Sequence, residues 1–91
     1  MTDTLCIALT QINPTVGDVV GNVARLRQAR ADAAAKGADL VVSSELVVSG
    51  YPPEDLVLKP AAVEDSMKAV QDLAAETAGG PAVIIGSPWM D

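Results

Sequence analysis

Glu45 stands where chemistry is easiest to place. The residues before it, Ala38, Leu40, Val41 and Val42, form a largely apolar run, and Leu46-Val47-Val48 follow it, so a carboxylate occupies the point where a buried strand passes into a loop. Proteins with alternating strands and helices carry their reactive groups at such strand ends. Apolar surroundings disfavour the anion and raise a carboxyl pKa toward the range in which it takes and returns a proton. A second reading fits the same spacing: a solvated strand-end acid, or a cap for the next turn, with no chemical task. Tyr51 comes next, held between Gly50 and Pro52-Pro53. It offers a phenol as hydrogen-bond donor or an apolar wall for a pocket, and ordinary loop packing is its alternative. Glu54 and Asp55 form a carboxylate pair of the kind that can divide acid and base roles, although adjacent loop residues point apart and solvation suits them better.

Two further features were weighed for chemistry and set aside. Cys6 is the only cysteine and lies inside Leu5-Cys6-Ile7-Ala8-Leu9 with no basic neighbour, which predicts an inert thiol packed in the core. Gly17-Asp18-Val19-Val20-Gly21 precedes a helix but has neither the GxGxxG nor the Walker spacing of a phosphate loop.

Composition narrows the class. At 91 residues and 49% hydrophobic content, the chain suits one small domain or part of one. A net charge of −6, six basic residues and no histidine argue against nucleic acid as a partner and against a Cys/His zinc site. The single cysteine cannot form an internal disulfide. Met1-Thr2-Asp3 is not the start of a signal peptide, and the longest apolar runs are too short for a membrane span. The expectation is a soluble, cytoplasmic protein.

The elements that must position Glu45 follow from periodicity. Residues 5–9, 38–42 and 82–86 read as short strands, apolar enough to be buried on both faces. Val19, Val23, Leu26, Ala29, Ala33 and Ala34 mark a helix with one buried stripe and with Arg25, Gln28, Asp32 and Lys36 on its polar face; Gly37 is its C-terminal cap. Pro60 opens a second helix whose stripe is Val63, Met67, Val70 and Ala74, and Gly79-Gly80-Pro81 stops it. The order β-α-β-loop-α-β predicts parallel pairing with right-handed helical crossovers. Three strands are few for so many apolar residues, which suggests the opening portion of a larger α/β domain.

Several blocks in order carry a resemblance. Ala8-Leu9-Thr10-Gln11 with Asn13-Pro14, Gly17-Asp18 with Gly21-Asn22, residues 37–42, and Glu45-Leu46 with Gly50-Tyr51-Pro52-Pro53-Glu54-Asp55-Leu56 are together similar to the start of a nitrilase-superfamily (carbon-nitrogen hydrolase) domain. The Gly-Tyr-Pro-Pro-Glu-Asp-Leu block most resembles the glutamine-amidotransferase domain of glutamine-dependent NAD synthetases. The resemblance implies that residues 1–91 are the N-terminal part of one such domain, an incomplete αββα sandwich, with no second domain. It further implies a complete enzyme that hydrolyses glutamine and channels ammonia to a synthetase domain. There nicotinic acid adenine dinucleotide is amidated to NAD with ATP and Mg²⁺, neither of which this chain would bind.

The superfamily's Glu-Lys-Cys triad places its glutamate on Glu45 as general base, and the family's pocket tyrosine on Tyr51. The triad lysine and cysteine come later in the family's domain than Asp91, and none of Lys36, Lys59, Lys68 or Cys6 matches them, so these residues alone are expected to be inactive. Homo-oligomeric assembly is implied as well. Two departures from the family pattern stand out: Ser43-Ser44 where Phe-Pro commonly precedes the glutamate, and Ala61-Ala62 where a phenylalanine often follows Lys59-Pro60. Two other readings remain open at the level of sequence: a different carbon-nitrogen hydrolase, such as an amidase or carbamoylase, and a noncatalytic α/β module that self-associates.

Overall fold

A computed structural model describes residues 4–44, 46–51 and 58–90. Strand β1 (Ile7–Leu9), helix α1 (Val19–Ala35), strand β2 (Leu40–Val42), helix α2 (Pro60–Glu76) and strand β3 (Ala82–Ile84) follow one another in the expected order. The strands pair in parallel in the order β1-β2-β3, with Ile7 opposite Leu40 and Leu40 opposite Ala82, and with Leu9 opposite Val42 and Val42 opposite Ile84. Successive right-handed crossovers that advance in one direction leave both helices on the same side of a sheet. Here α1 and α2 contact each other, and Val41 in the middle row, between Ala8 and Val83, is fully buried.

The rows on either side of Val41 correct one expectation. Ile7, Leu9, Ala82 and Ile84 are exposed, Leu9 to 78%, so the edge strands are covered on one face only. An apolar run states which surface needs cover and is silent on what provides it; in this chain the helices cover one face and nothing among the described residues covers the other. Cys6 is corrected for the same reason, since it lies at the start of edge strand β1 and is exposed.

Helix α1 is closed at both ends by local chemistry. Asp18 caps its first turn by accepting a hydrogen bond from the Gly21 amide at 3.0 Å. At the other end the Gly37 amide donates to the Ala34 carbonyl and the Ala38 amide to the Ala33 carbonyl, the two bonds of a Schellman motif. Gly37 takes φ +85, so the cap read from sequence is the one observed. Its stripe is Asn22, Val23, Leu26 and Ala33, whereas Ala34 is exposed.

Pro60 starts α2 as expected, yet the buried face of that helix is Val63, Ser66 and Leu73. Met67 and Val70 are half-buried and Ala74 is exposed, so the stripe sits to one side of the one expected. Val23, Leu26, Val47, Val48 and Leu73 form the core, with Ile12, Val19, Ala69, Val70 and Ile85 packed around it. Full burial of each valine or leucine of that core contributes roughly 1.5–3 kcal/mol. The presence of Val47 and Val48 in that set anchors the loop after β2 into the centre of the protein.

Candidate functional site

The loop leaving the C-terminal end of β2 is tied down on both sides of Glu45. On the near side, Ser43 donates its amide (3.0 Å) and its hydroxyl (2.9 Å) to the Ile84 carbonyl of β3. On the far side the Val48 amide donates to the Gly86 carbonyl at 3.3 Å, and the Val47 and Val48 side chains are fully buried. Glu45 itself lies outside the described residues, as do Glu54 and Asp55, so the apolar setting expected for Glu45 is described only through its neighbours. Val41, Val47 and Val48 are buried, Val42, Ser43 and Leu46 half-buried and Ser44 exposed.

Residues 46–50 close a tight turn. The Gly50 amide donates to the Leu46 carbonyl at 2.8 Å, and Leu46 adopts φ 54, a left-handed conformation that a leucine holds only where its surroundings fix it. Gly50 has φ +87, and a Cβ there would fall 2.7 Å from the Val16 Cα, so only glycine lets this turn lie against residues 15–17. The Gly17 amide completes the contact by donating to the Ser49 carbonyl at 2.9 Å. Tyr51 emerges from this turn 63% exposed.

Between the two loops lies a residue to which the sequence reading gave no role. Asn22, on the buried face of α1, is fully buried. Its side-chain amide donates to the Thr15 carbonyl (2.8 Å) and the Val48 carbonyl (3.0 Å), and its oxygen accepts from the Thr15 amide (2.8 Å) and Arg25 Nη1 (3.0 Å). The signal available in sequence was an amide at a stripe position: Asn22 follows Val19 by three residues and precedes Leu26 by four.

Elsewhere the chemistry is sparse. A groove of about 480 Å³ between α1 and α2 is lined by Val23, Ala69, Arg27, Asp65, Lys68 and Asp72, among others. Arg27 pairs across the helices with Glu76 at 2.7 Å and holds that carboxyl below its ordinary range, chiefly through their hydrogen bonds. Lys68 pairs with Asp72 at 3.1 Å one turn along α2. Both pairs are solvent-exposed, and such contacts are worth about 0.2–1 kcal/mol. Among the described residues no three His, Cys, Asp or Glu side chains come together to hold a metal ion.

Comparison with known proteins places this arrangement. Residues 6–89 match the family model for carbon-nitrogen hydrolases. The glutamine-dependent NAD(+) synthetase of Rhodobacter capsulatus is 46% identical over all 91 residues, and that of Synechocystis is 41% identical over 81 residues, 89% of the chain. The solved glutamine-dependent NAD+ synthetase of Acinetobacter baumannii, in complex with ADP, superposes with a TM-score of 0.80 at 31% identity over 89% of this chain. The chain spans only 16% and 14% of the two relatives and 15% of the solved structure. The parallel sheet and paired helices thus match a fragment of the nitrilase-type fold, and the chain belongs to the carbon-nitrogen hydrolase family.

Proposed function

We propose that these residues are the opening part of the glutaminase of a glutamine-dependent NAD synthetase, which supplies ammonia for ATP-dependent amidation of nicotinic acid adenine dinucleotide. The observation that carries this reading is the 46% identity with the Rhodobacter capsulatus synthetase along the entire chain. Glu45 is the general base. It takes the proton from a cysteine thiol supplied by a later part of the domain, so that the thiolate attacks the glutamine side-chain amide. A lysine, also from later in the domain, steadies the oxyanion. Glu45 then returns the proton to the departing ammonia and activates the water that hydrolyses the γ-glutamyl thioester. Tyr51 lines the pocket for glutamine, a role its exposed ring is free to fill.

ATP and Mg²⁺ belong in this reading to a separate synthetase domain. Homo-oligomeric assembly and a cytoplasmic setting complete the reading, with neither nucleic acid nor membrane as a partner. The net charge of −6 supports the exclusion of nucleic acid, and no helix among the described residues is long and apolar enough to cross a membrane.

Substitution Glu45→Gln in the full-length protein tests the assignment, because it keeps the shape and removes the base. Glutamine-supported NAD synthesis should fall by about a thousandfold or more, given what general-base and nucleophile activation contribute together. Synthesis supported by ammonium salts should persist. A Glu45→Gln protein that still uses glutamine at the parent rate would overturn the reading.

A further inference from the structure

The structure assigns Asn22 a task in glutamine hydrolysis: it is a positioning residue that fixes the turn at residues 46–50 relative to the strand end, and so sets where Glu45 and Tyr51 stand. This inference rests on the glutaminase reading given above. The geometry that carries it is the direction of the Asn22 hydrogen bonds. An amide buried in a helix stripe has two donors and two acceptor positions to satisfy, and all four are used here. Three of the four go to the backbone of the two loops on either side of the site, at Thr15 and Val48. The Val48 carbonyl lies three residues beyond Glu45 and three before Tyr51.

Beyond the packing of Val47 and Val48, the hydrogen bonds that hold the turn are few. Ser43 holds the near side of the strand end to β3, and the far side rests on the 3.3 Å Val48–Gly86 bond, the Gly17–Ser49 bond and Asn22. Leu46, adjacent to Glu45, has a left-handed φ of 54, and the turn that imposes it is closed by Gly50. A conformation of that kind survives only where several contacts agree on it. Asn22 supplies the side-chain hydrogen bond that joins the turn to α1, beside the apolar core that Val47 and Val48 share with Val23 and Leu26, and it also bonds to Thr15 in the surface on which Gly50 lies. Loss of its two donors would leave the turn held to α1 by apolar packing alone, without the directional bond that fixes its backbone, while the strand itself stays paired. A base misplaced by about 1 Å loses on the order of a hundredfold in rate.

Asn22→Asp is the sharpest test, since it keeps the size and the acceptor oxygen and replaces the nitrogen that carries both donors with one oxygen facing two carbonyl oxygens. The full-length protein is assayed for glutamine-supported synthesis, normalised to its own ammonium-supported rate, across pH. We expect the normalised glutamine kcat to fall about 10–100-fold, the range seen when partners that orient a reacting group are removed. The acidic limb of its pH profile should also shift, because the base has moved relative to its surroundings. The milder Asn22→Ser, which keeps one short donor, is measured alongside in case the aspartate prevents folding; an intermediate loss with the same direction of pH shift supports the inference. A normalised kcat and pH profile within twofold of the parent in either folded variant would overturn it. Glu45→Gln in the same assay separates the two claims: if that variant keeps full glutamine use, the glutaminase reading fails and the task given to Asn22 fails with it. If Glu45→Gln abolishes glutamine use while the Asn22 variants retain it, only the positioning role fails.

Discussion

Asn22 on α1 and Ser66 on α2 are both polar, both on the buried stripe of their helix, and 0% and 1% exposed, yet they do opposite things. Asn22 reaches away from its helix to the backbone of two loops, 7 and 26 residues distant. Ser66 turns its hydroxyl back onto the Ala62 carbonyl of its own helix at 3.1 Å. Burial alone therefore does not mark a polar residue as important. What matters is whether its partners have another donor: the Ala62 carbonyl belongs to a helical ladder that continues without the hydroxyl, whereas the Val48 carbonyl lies in a loop where no ladder replaces the amide.

Asn22→Ala should break the contrast most strongly. It leaves the Thr15 amide and the Val48 carbonyl without their partner, whereas the Thr15 carbonyl keeps the Asp18 amide at 3.1 Å, and a buried group left unpaired costs about 1–3 kcal/mol. With water meeting part of that need, the local loss should be about 3 kcal/mol. Amide hydrogen exchange in the full-length protein is the suitable measurement, since it reports opening region by region. Protection at Gly17 and Gly50 should fall about a hundredfold while that of mid-α2 amides is kept. Equal loss in both regions would mean that Asn22 supports the whole fold and not the loops in particular.

Gly50→Ala acts on the same junction from the other side. The new Cβ would meet the Val16 backbone at 2.7 Å and would be held at φ +87, a strain of about 1–2 kcal/mol before any clash is relieved. A local destabilisation of about 2–3 kcal/mol is expected, read as faster exchange at Gly17 and weaker glutamine use. An alanine accepted there without change would show that the two loops are not in firm contact.

How much of this was legible in sequence depended on the range of the interaction. The element order, Pro60 as the first residue of α2 and Gly37 as the cap of α1 all followed from neighbours within a few positions. The burial of Val47 and Val48, and the glycine at position 50, are consistent with a strand running into a rigid loop, but the core that Val47 and Val48 join at Val23, Leu26 and Leu73, and the surface at residues 15–17 that Gly50 meets, lie more than twenty positions away, where no local pattern displays them. Asn22 falls at a stripe position to which the sequence reading assigns no role, and the direction of its bonds has no local signal. The stripe of α2 was placed to one side because Met67 and Ala74 share a period with Val63, and choosing Ser66 instead requires knowing which flank the core approaches. Cys6 and the edge strands were read as buried because apolar runs do not say whether one face or two are covered.

The smallest effect sharpens the comparison from its other end. Ser66→Ala removes a hydroxyl whose one bond among the described residues returns to Ala62, a carbonyl that the helix serves in any case. Alanine is the better helix former by a few tenths of a kcal/mol, and a serine that bonds back to the preceding turn slightly weakens a helix. Against this stands the loss of a hydrogen bond worth about 1 kcal/mol at most in net terms. The two nearly cancel, so the change in stability should lie within about 0.5 kcal/mol of zero. Exchange at Gly17 and Gly50 should be that of the parent, as should glutamine use. A loss at Ser66 comparable to that at Asn22 would mean that any buried polar atom in these helices is structurally decisive, and that the outward direction of the Asn22 bonds explains nothing. A silent Ser66 beside a damaging Asn22 would leave direction as the property that separates a positioning residue from a tolerated one.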